Sequence, residues 1–515
     1  MRITFLGHSG LFIETEGGSI LCDPWFYPAY FASWFPFPSN ETVDLKAIGN
    51  PDYLYISHEH HDHLDNRFLR EHVCKDATVL LPDYPVRSLE RALRGLGFSA
   101  FLRTENAQVV DMGSLRVAIV AMISPSDGPE GDSGLIVDDG RSRIFNQNDC
   151  RPVDIDAIQQ LGPYDGHFLQ FSGATWYPMV YSFPSKVKKA LGEQKRANQL
   201  ARAFAFVEQV DASYVFPCGG PPCFLDDDLF HLNDIDADPS NTFCDQAVFL
   251  EHMREFGSNR GHLAIPGSVM ELDASRCSIS HPIRDEEIEA MFRDKASYLE
   301  TYRRRKASVI EAARSAWPSG RIDILASLRE RFEPLLAIAD LACAGVDGRI
   351  LLDCSVDKIV LDFLDRNVYR WNGQECKYKF RIDAALIEAC ILNEEVDWVN
   401  SLFLSYRFRA EREGPYNEYV YNFFKCLSPE RLQYAEGYYA EQAEGHELFR
   451  LDGHMIQRRC PHLKADLTRF GRVENGILTC TMHGWRFDIT TGKCLTSDQC
   501  KLYTKPVDGR EEHGG

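Results

Sequence analysis

The stretch Ser57-His58-Glu59-His60-His61-Asp62-His63 sets four imidazoles and two carboxylates directly after a short apolar run, residues 53–56. An extended segment sends alternate side chains to opposite sides, so His58 and His60 share a side. The turn that follows brings Asp62 and His63 to a neighbouring position. Imidazole and carboxylate are suitable ligands for zinc or iron. A His-rich surface turn is the bland alternative, and the H-x-H-x-D-H order behind an apolar strand argues against it.

Residues 1–275 alternate short apolar runs with Gly, Pro and Asp turns. Runs at 3–6, 11–15, 19–22, 53–57 and 116–122 read as strands, with a helix over 186–209 and a strand at 213–216. That is the pattern of an α/β or sheet-sandwich layer. The segment 225–239 is acidic and irregular, and 284–316 reads as one charged helix ended by Trp317-Pro318-Ser319-Gly320. Its run Arg303-Arg304-Arg305-Lys306 fits a solvated face better than a docking patch. Residues 320–435 mix strand-like pieces with helical ones at 384–391 and 396–406, giving an α+β middle region. From 436 to 508 short strands and Gly turns take over, and the polar tail from 508 reads as disordered. The expected division is 1–275, 276–435, 436–508 and a tail 509–515.

The second constellation lies in the last of these parts. Cys460-Pro461-His462 is followed by Cys480-Thr481-Met482-His483, one Cys and one His from each of two loops. Two thiolates can hold one iron of a [2Fe–2S] cluster and two imidazoles the other. Zinc is the rival occupant, but zinc sites favour C-x2–4-C spacing. The flanks His483-Gly484-Trp485-Arg486-Phe487-Asp488 and Thr491-Gly492 resemble the second cluster loop of Rieske proteins, over roughly 440–505. Cys494 and Cys500 lie outside the pattern and read as ordinary thiols, and His454 reads as a surface residue.

The run at 58–63 resembles the metallo-β-lactamase superfamily, as do Gly7-His8-Ser9-Gly10 and Asp23-Pro24-Trp25. That resemblance implies an αββα sandwich, α/β in class, with a one- or two-metal site. It implies His58, His60, Asp62 and His63 as ligands, joined by Asp149 of Asn148-Asp149-Cys150 as a bridging or second-metal carboxylate. The superfamily's usual later histidines have no counterpart here. Asp127 or Asp132 could stand for the first, Asp226 or His231 for the second. Such an oxygen-rich set, or one metal with open positions, suits Fe(II) and O2.

One family joins these two modules. The chain resembles the CMP-N-acetylneuraminate hydroxylases, through the stretches above and through Phe171-Ser172-Gly173-Ala174-Thr175-Trp176-Tyr177-Pro178-Met179, a substrate-side loop. In those hydroxylases the Rieske module comes first, whereas here it is last. The resemblance implies a Rieske-coupled non-haem iron oxygenase that hydroxylates or N-oxygenates a small polar substrate, such as a nucleotide sugar or another biosynthetic intermediate. Iron, one or two ions, is expected at the first site, with zinc as the alternative. A metallo-β-lactamase-fold hydrolase or lactonase with the cluster as redox sensor is the competing reading, and an electron-transfer or scaffold protein is a third.

Partners follow from composition. The chain has 515 residues, 56 Lys+Arg against 76 Asp+Glu, and a net charge of -20. A surface so acidic repels phosphate backbones and anionic lipid, so nucleic acid and membrane are not expected. No run of about 18 apolar residues offers a spanning helix. The start does not read as a signal peptide. The 16 cysteines lack the density of a secreted disulfide scaffold, which points to a reducing cytoplasm. No G-x-G-x-x-G follows a strand, so electrons are expected from a separate reductase, ferredoxin or cytochrome-type donor. A homo-oligomer is left open. His8 reads as a structural or supporting residue first and a substrate contact second. Trp176 and Tyr177 read as packing, His61 as exposed or supporting, and Glu59 as a surface or metal-supporting group.

Overall fold

A computed structural model describes residues 1–122, 131–173, 175–273, 276–355, 357–441, 447–498 and 500–507. Two sheets stack at its centre. The first has the spatial order Arg276–Ser280, Val269–Asp273, Arg2–Gly7, Gly10–Thr15, Gly18–Cys22, Tyr53–Tyr55, Thr78–Pro82 and Phe101–Thr104. The second runs Tyr214–Cys218, Gly166–Gln170, Arg143–Asn148, Asp132–Asp138, Arg116–Met122 and Val109–Asp111.

Strand periodicity of two explains how both faces of each sheet are filled. Ile3, Phe5, Leu11, Ile13, Ile20 and Cys22 point between the sheets and meet Val117, Ile119, Leu135, Val137 and Phe168. Leu6, Phe12, Leu21 and Leu54, one residue out of step, point away and are covered by Phe68 and Leu69 of the helix Asn66–His72 and by Leu89 and Leu93 of Ser88–Gly95. The outer face of the second sheet is covered by Ala203, Phe206, Val207 and Val210 of the long helix Ser185–Val210. This is the expected αββα metallo-β-lactamase sandwich.

The middle region builds a second core on a five-stranded sheet, Asn367–Arg370, Lys358–Asp362, Arg349–Asp353, Tyr378–Ile382 and Phe408–Arg412. Its apolar cluster is continuous with Trp25, Tyr30, Trp34 and Tyr181 of the sandwich region. The C-terminal part holds two three-stranded sheets. It seats on the long helix: Phe470 packs on Phe206 at 5.3 Å between ring centroids, and Arg202 Nη1 donates to the Met482 carbonyl at 2.9 Å. Among the described residues no helix is long and apolar enough to cross a membrane.

Two local expectations need correction. The charged helix is two, Asp285–Arg293 and Lys295–Ser315, because Asp294 breaks the first and caps the second by accepting from Ser297 N. The piece at 396–406 is not an α-helix; its only regular part is a 3-10 turn at Phe403–Ser405. Asp397 is the reason. Its carboxylate accepts from Asn400 N and Nδ2, both at 2.8 Å, and such side-chain bonds compete with helical ones. The strand Arg276–Ser280 extends the first sheet past residue 275, and the helix Pro429–Glu441 runs through residue 436.

Candidate metal centre

Parallel strands Gly18–Cys22 and Tyr53–Tyr55 end side by side, and their carboxyl ends deliver Asp23 and the segment Ser57 to His63 to one place. Asp23 is fully buried. It accepts from Ser57 N at 2.8 Å and from Ser57 Oγ at 2.7 Å, and His63 Nδ1 donates to it at 3.0 Å. That bond fixes the imidazole and turns Nε2 inward, 3.8 Å from an Asp62 oxygen and 3.7 Å from an Asp149 oxygen. His63 Nε2 and Asp149 Oδ1 are buried with no hydrogen-bond partner. Unpaired polar atoms in an apolar interior are costly, so donors converging in this way fit a bound cation.

His58, His63 and Asp149 can each offer a donor atom within 4.8 Å of the others, and so can His8, Asp62 and His63. His60 Nδ1 lies 2.7 Å from His58 Nε2. All five expected ligands, His58, His60, Asp62, His63 and Asp149, therefore meet in one pocket. Two more join them. Asp132, the first residue of its strand, stands 3.1 Å from His58 Nδ1. His8 Nε2 lies 2.8 Å from Asp62. Burial opposes the charge on Asp62, but His63 and His8 outweigh it and hold that carboxyl well below the usual range. For His63, burial is likewise outweighed, by Asp149, Asp62 and Asp23, which raise it well above an ordinary histidine.

Close packing shapes the rim. A Cβ on Gly219, whose φ is +62°, would stand 2.6 Å from Asp149 Oδ1, so the position needs glycine. Tyr30 donates to Asp62 at 2.5 Å, and His61 stacks on Tyr30 at 5.3 Å. Glu59 points away and pairs with Arg431 of the helix Pro429–Glu441.

The remaining candidates divide. Asp127 lies outside the described residues. Asp226 and His231 are not at this site, which corrects the expectation that one of them binds metal. Asp226 is buried between Arg314 at 2.9 Å and Arg407 at 2.8 Å, which consume its charge. His231 lines a different cavity beside Arg314, Arg407 and Arg409, a cationic setting that repels a metal ion.

The second set is equally compact. Cys460 and Cys480 are fully buried, and the rings of His462 and His483 lie 5.0 Å apart. His462 Nδ1 and both nitrogens of His483 are buried without hydrogen-bond partners. Two thiols and two such imidazoles fit a [2Fe–2S] cluster. Burial drives His462 down to about 3, so its ring is neutral, as a ligand must be. Its face stacks on Trp485 at 4.0 Å, and its Nε2 lies 3.6 Å from Glu418, a carboxyl that burial pushes up to about 7.

Both sets border one cavity of about 560 Å³: His8, His60, Asp62, Asp132 and Asp149 line it, and so do His462 and His483. Sequence reasoning did not find the shared cavity or Asp23 as the partner of His63, although the Asp23-Pro-Trp motif hinted at it; Asp132 was one of two candidates for the missing histidine, and His8 was expected as a supporting residue.

Comparison with known proteins agrees with this layout. Residues 2–129 match the beta-lactamase superfamily domain, 324–441 the Rv3818-like, SCP2-like domain, and 441–505 the Rieske [2Fe-2S] domain. A Rieske 2Fe-2S iron-sulfur protein of Mycolicibacterium smegmatis is 48% identical over 509 residues, covering 96% of this chain and 98% of its own. The cytidine monophosphate-N-acetylneuraminic acid hydroxylase of Mus musculus is 28% identical over 195 residues, 35% of this chain and 32% of its own. Among solved structures, CmlA, a diiron beta-hydroxylase from Streptomyces venezuelae, covers 53% of this chain and 54% of its own at 18% identity and a TM-score of 0.35.

Proposed function

The chain belongs to the family of mycobacterial Rieske 2Fe-2S iron-sulfur proteins, and from that premise we propose that it is a Rieske-coupled oxygenase acting on a small polar substrate. It is an oxidoreductase with a metallo-β-lactamase-like domain at one end and a [2Fe–2S] domain at the other. The observation that carries the reading is the shared cavity, which gives one substrate access to both sets of ligands. A hydrolase of this sandwich would have no use for an electron carrier facing its pocket.

Cys460, His462, Cys480 and His483 would hold the cluster. His58, His60, Asp62, His63 and Asp149 would hold iron, with Asp132 and His8 beside them. When bound, the cluster would supply electrons one at a time and the iron a place for O2. The overall balance is substrate C–H or N–H, O2, two electrons and two protons giving the hydroxylated product and water. The chain's own groups prepare this. Asp23 keeps the proton of His63 on Nδ1, so that Nε2 faces the metal position. Tyr30 neutralises part of the charge on Asp62. Trp176 and Tyr177 line the cavity with apolar ring surface. The recognised hydroxylase similarity covers about a third of that relative, and it supports the reaction class without choosing the substrate.

The test is metal analysis with EPR on anaerobically purified protein, before and after dithionite, followed by O2 uptake with candidate polar metabolites. A reduced Rieske signal, iron beyond two per chain, and substrate-dependent O2 uptake that needs reductant are expected. Zinc at the first site with turnover independent of O2 and electrons would replace this reading with a hydrolase.

A further inference from the structure

The long helix Ser185–Val210 changes character along its length. Its C-terminal half buries Ala203, Phe206, Val207 and Val210 in the ordinary way. Its middle third faces the cavity with Gln194, Lys195, Asn198, Gln199 and Arg202. These positions recur every three or four residues and form one stripe. A helix normally turns an apolar stripe inward, so an inward stripe of amides and cations needs another reason.

Lys195 and Arg151 supply it. The charges that act on Lys195 are Arg151 and Arg202, both cations; burial and then their repulsion bring its ammonium down to about 7. Arg151 gives one bond, from Nη2 to Gln170 at 3.3 Å, while its Nε is buried with no partner. Arg412, which also lines the cavity, lies over the rings of Tyr177 and Tyr181, 5.5 Å from each, with Nη1 buried and unpartnered. The carboxylates that line the cavity are engaged elsewhere: Asp62, Asp132 and Asp149 with histidines of the metal centre, and Glu418 beside His462. Lys195 Nζ lies over the Tyr177 ring at 5.9 Å, and no carboxylate among the described residues pairs with it; holding cations together without a counter-ion is unfavourable. A chain with 76 acidic residues has no shortage of partners to give them.

We propose that Lys195 and Arg151 form an oxyanion subsite, and that the substrate is an acid held there by a phosphate or carboxylate group. The amides of Gln194 and Asn198 add neutral donors beside the two charges. The uncharged remainder of the molecule lies along Trp176 and Tyr177, towards the metal centre. This rests on the oxygenase reading only for the word substrate.

The experiment is isothermal titration calorimetry of the full-length, cluster-loaded protein at low ionic strength, with pyrophosphate and with succinate as probes. One of the two should bind the wild type, which separates a phosphate from a carboxylate preference. Lys195→Met should weaken that probe at least about tenfold, and Lys195→Arg should restore most of the loss. Lys189→Met, on the exposed side of the same helix, should change nothing. Thermal melts guard against misfolding: without the probe Lys195→Met should melt no lower than the wild type, since it removes an unpaired enclosed charge. Binding of neither probe to the wild type, or equal affinity in Lys195→Met, overturns the proposal. Binding needs neither O2 nor electrons, so its failure leaves the oxygenase reading standing, and a failure of O2 uptake leaves this one standing.

Discussion

The carboxylate of Asp23 is fully buried and accepts three hydrogen bonds, and the direction of His63 depends on it. Asp23→Asn keeps the shape but offers an amide N–H where an acceptor is needed. Loss of a ligand-orienting partner costs roughly 10–100-fold in metal affinity. The expected outcome is a first site stripped by mild chelation, while the cluster's EPR signal in the same sample is unchanged; equal retention of metal would assign Asp23 a purely structural part. The reverse experiment is Cys480→Ser, which should abolish the visible and EPR signatures of the cluster but leave iron at the first site. Both outcomes follow from the separation of the ligand sets, which share a cavity but no residue.

Elements carry the coupling between the modules. Phe206 packs on Phe470 and is buried, so Phe206→Ala opens a cavity between the long helix and the C-terminal module. Truncating a buried Phe costs about 3–5 kcal/mol. We expect a lower melting temperature and slower delivery of electrons from the cluster to the first site, read by single-turnover reduction, with the cluster spectrum itself preserved. A second element-level feature is the helix Ser88–Gly95, tied to the first sheet by Glu90, which accepts from Arg103 Nε at 2.8 Å and Arg94 Nε at 2.9 Å. Arg103 first, then Arg94, hold that carboxyl down to about 2. A depressed carboxyl stabilises above its unfolded pKa of about 4.3, and that gain is lost as pH falls through the folded value. Glu90→Gln should therefore melt lower than wild type at pH 7, by about 1 kcal/mol, and the gap should close between roughly pH 4 and pH 2.

At the scale of the whole molecule the net charge of -20 bears on how electrons arrive. On the proposed reading, a separate donor would dock against an acidic surface, and opposite charge speeds encounter in a way that salt screens. Reduction of the cluster by a basic donor should slow steeply from low to physiological ionic strength in stopped-flow absorbance. A rate independent of salt would point to an uncharged docking face. The three parts of the chain also meet as one body. The middle region contributes Glu418, Arg412 and Asn400 to the cavity, so it is a wall of the site as well as a spacer between the modules.

The two sets of candidate ligands are legible in the sequence because, Asp149 apart, each is local. Four donors between His58 and His63, and one Cys and His on each of two loops, are written as spacings that a strand end or a tight turn can only read one way. The chain's alternation of short apolar runs and turns indicated an α/β or sheet-sandwich layer, and the resemblance to the metallo-β-lactamase superfamily implied the αββα sandwich. The sequence could not determine Asp226 and His231, which lie in a plausible order along the chain but are claimed by arginines far from them in sequence. Nor could it show that His8, Asp23 and Asp132 close around the metal position, since they come from the ends of three separate strands. The stripe of amides and cations on the long helix becomes a cavity wall only where the C-terminal module, through His462, His483 and Trp485, lines the same cavity. What only the tertiary structure decided is the common cavity: whether two local motifs some 400 residues apart address one substrate depends on which surfaces pack, and packing is not encoded in spacing.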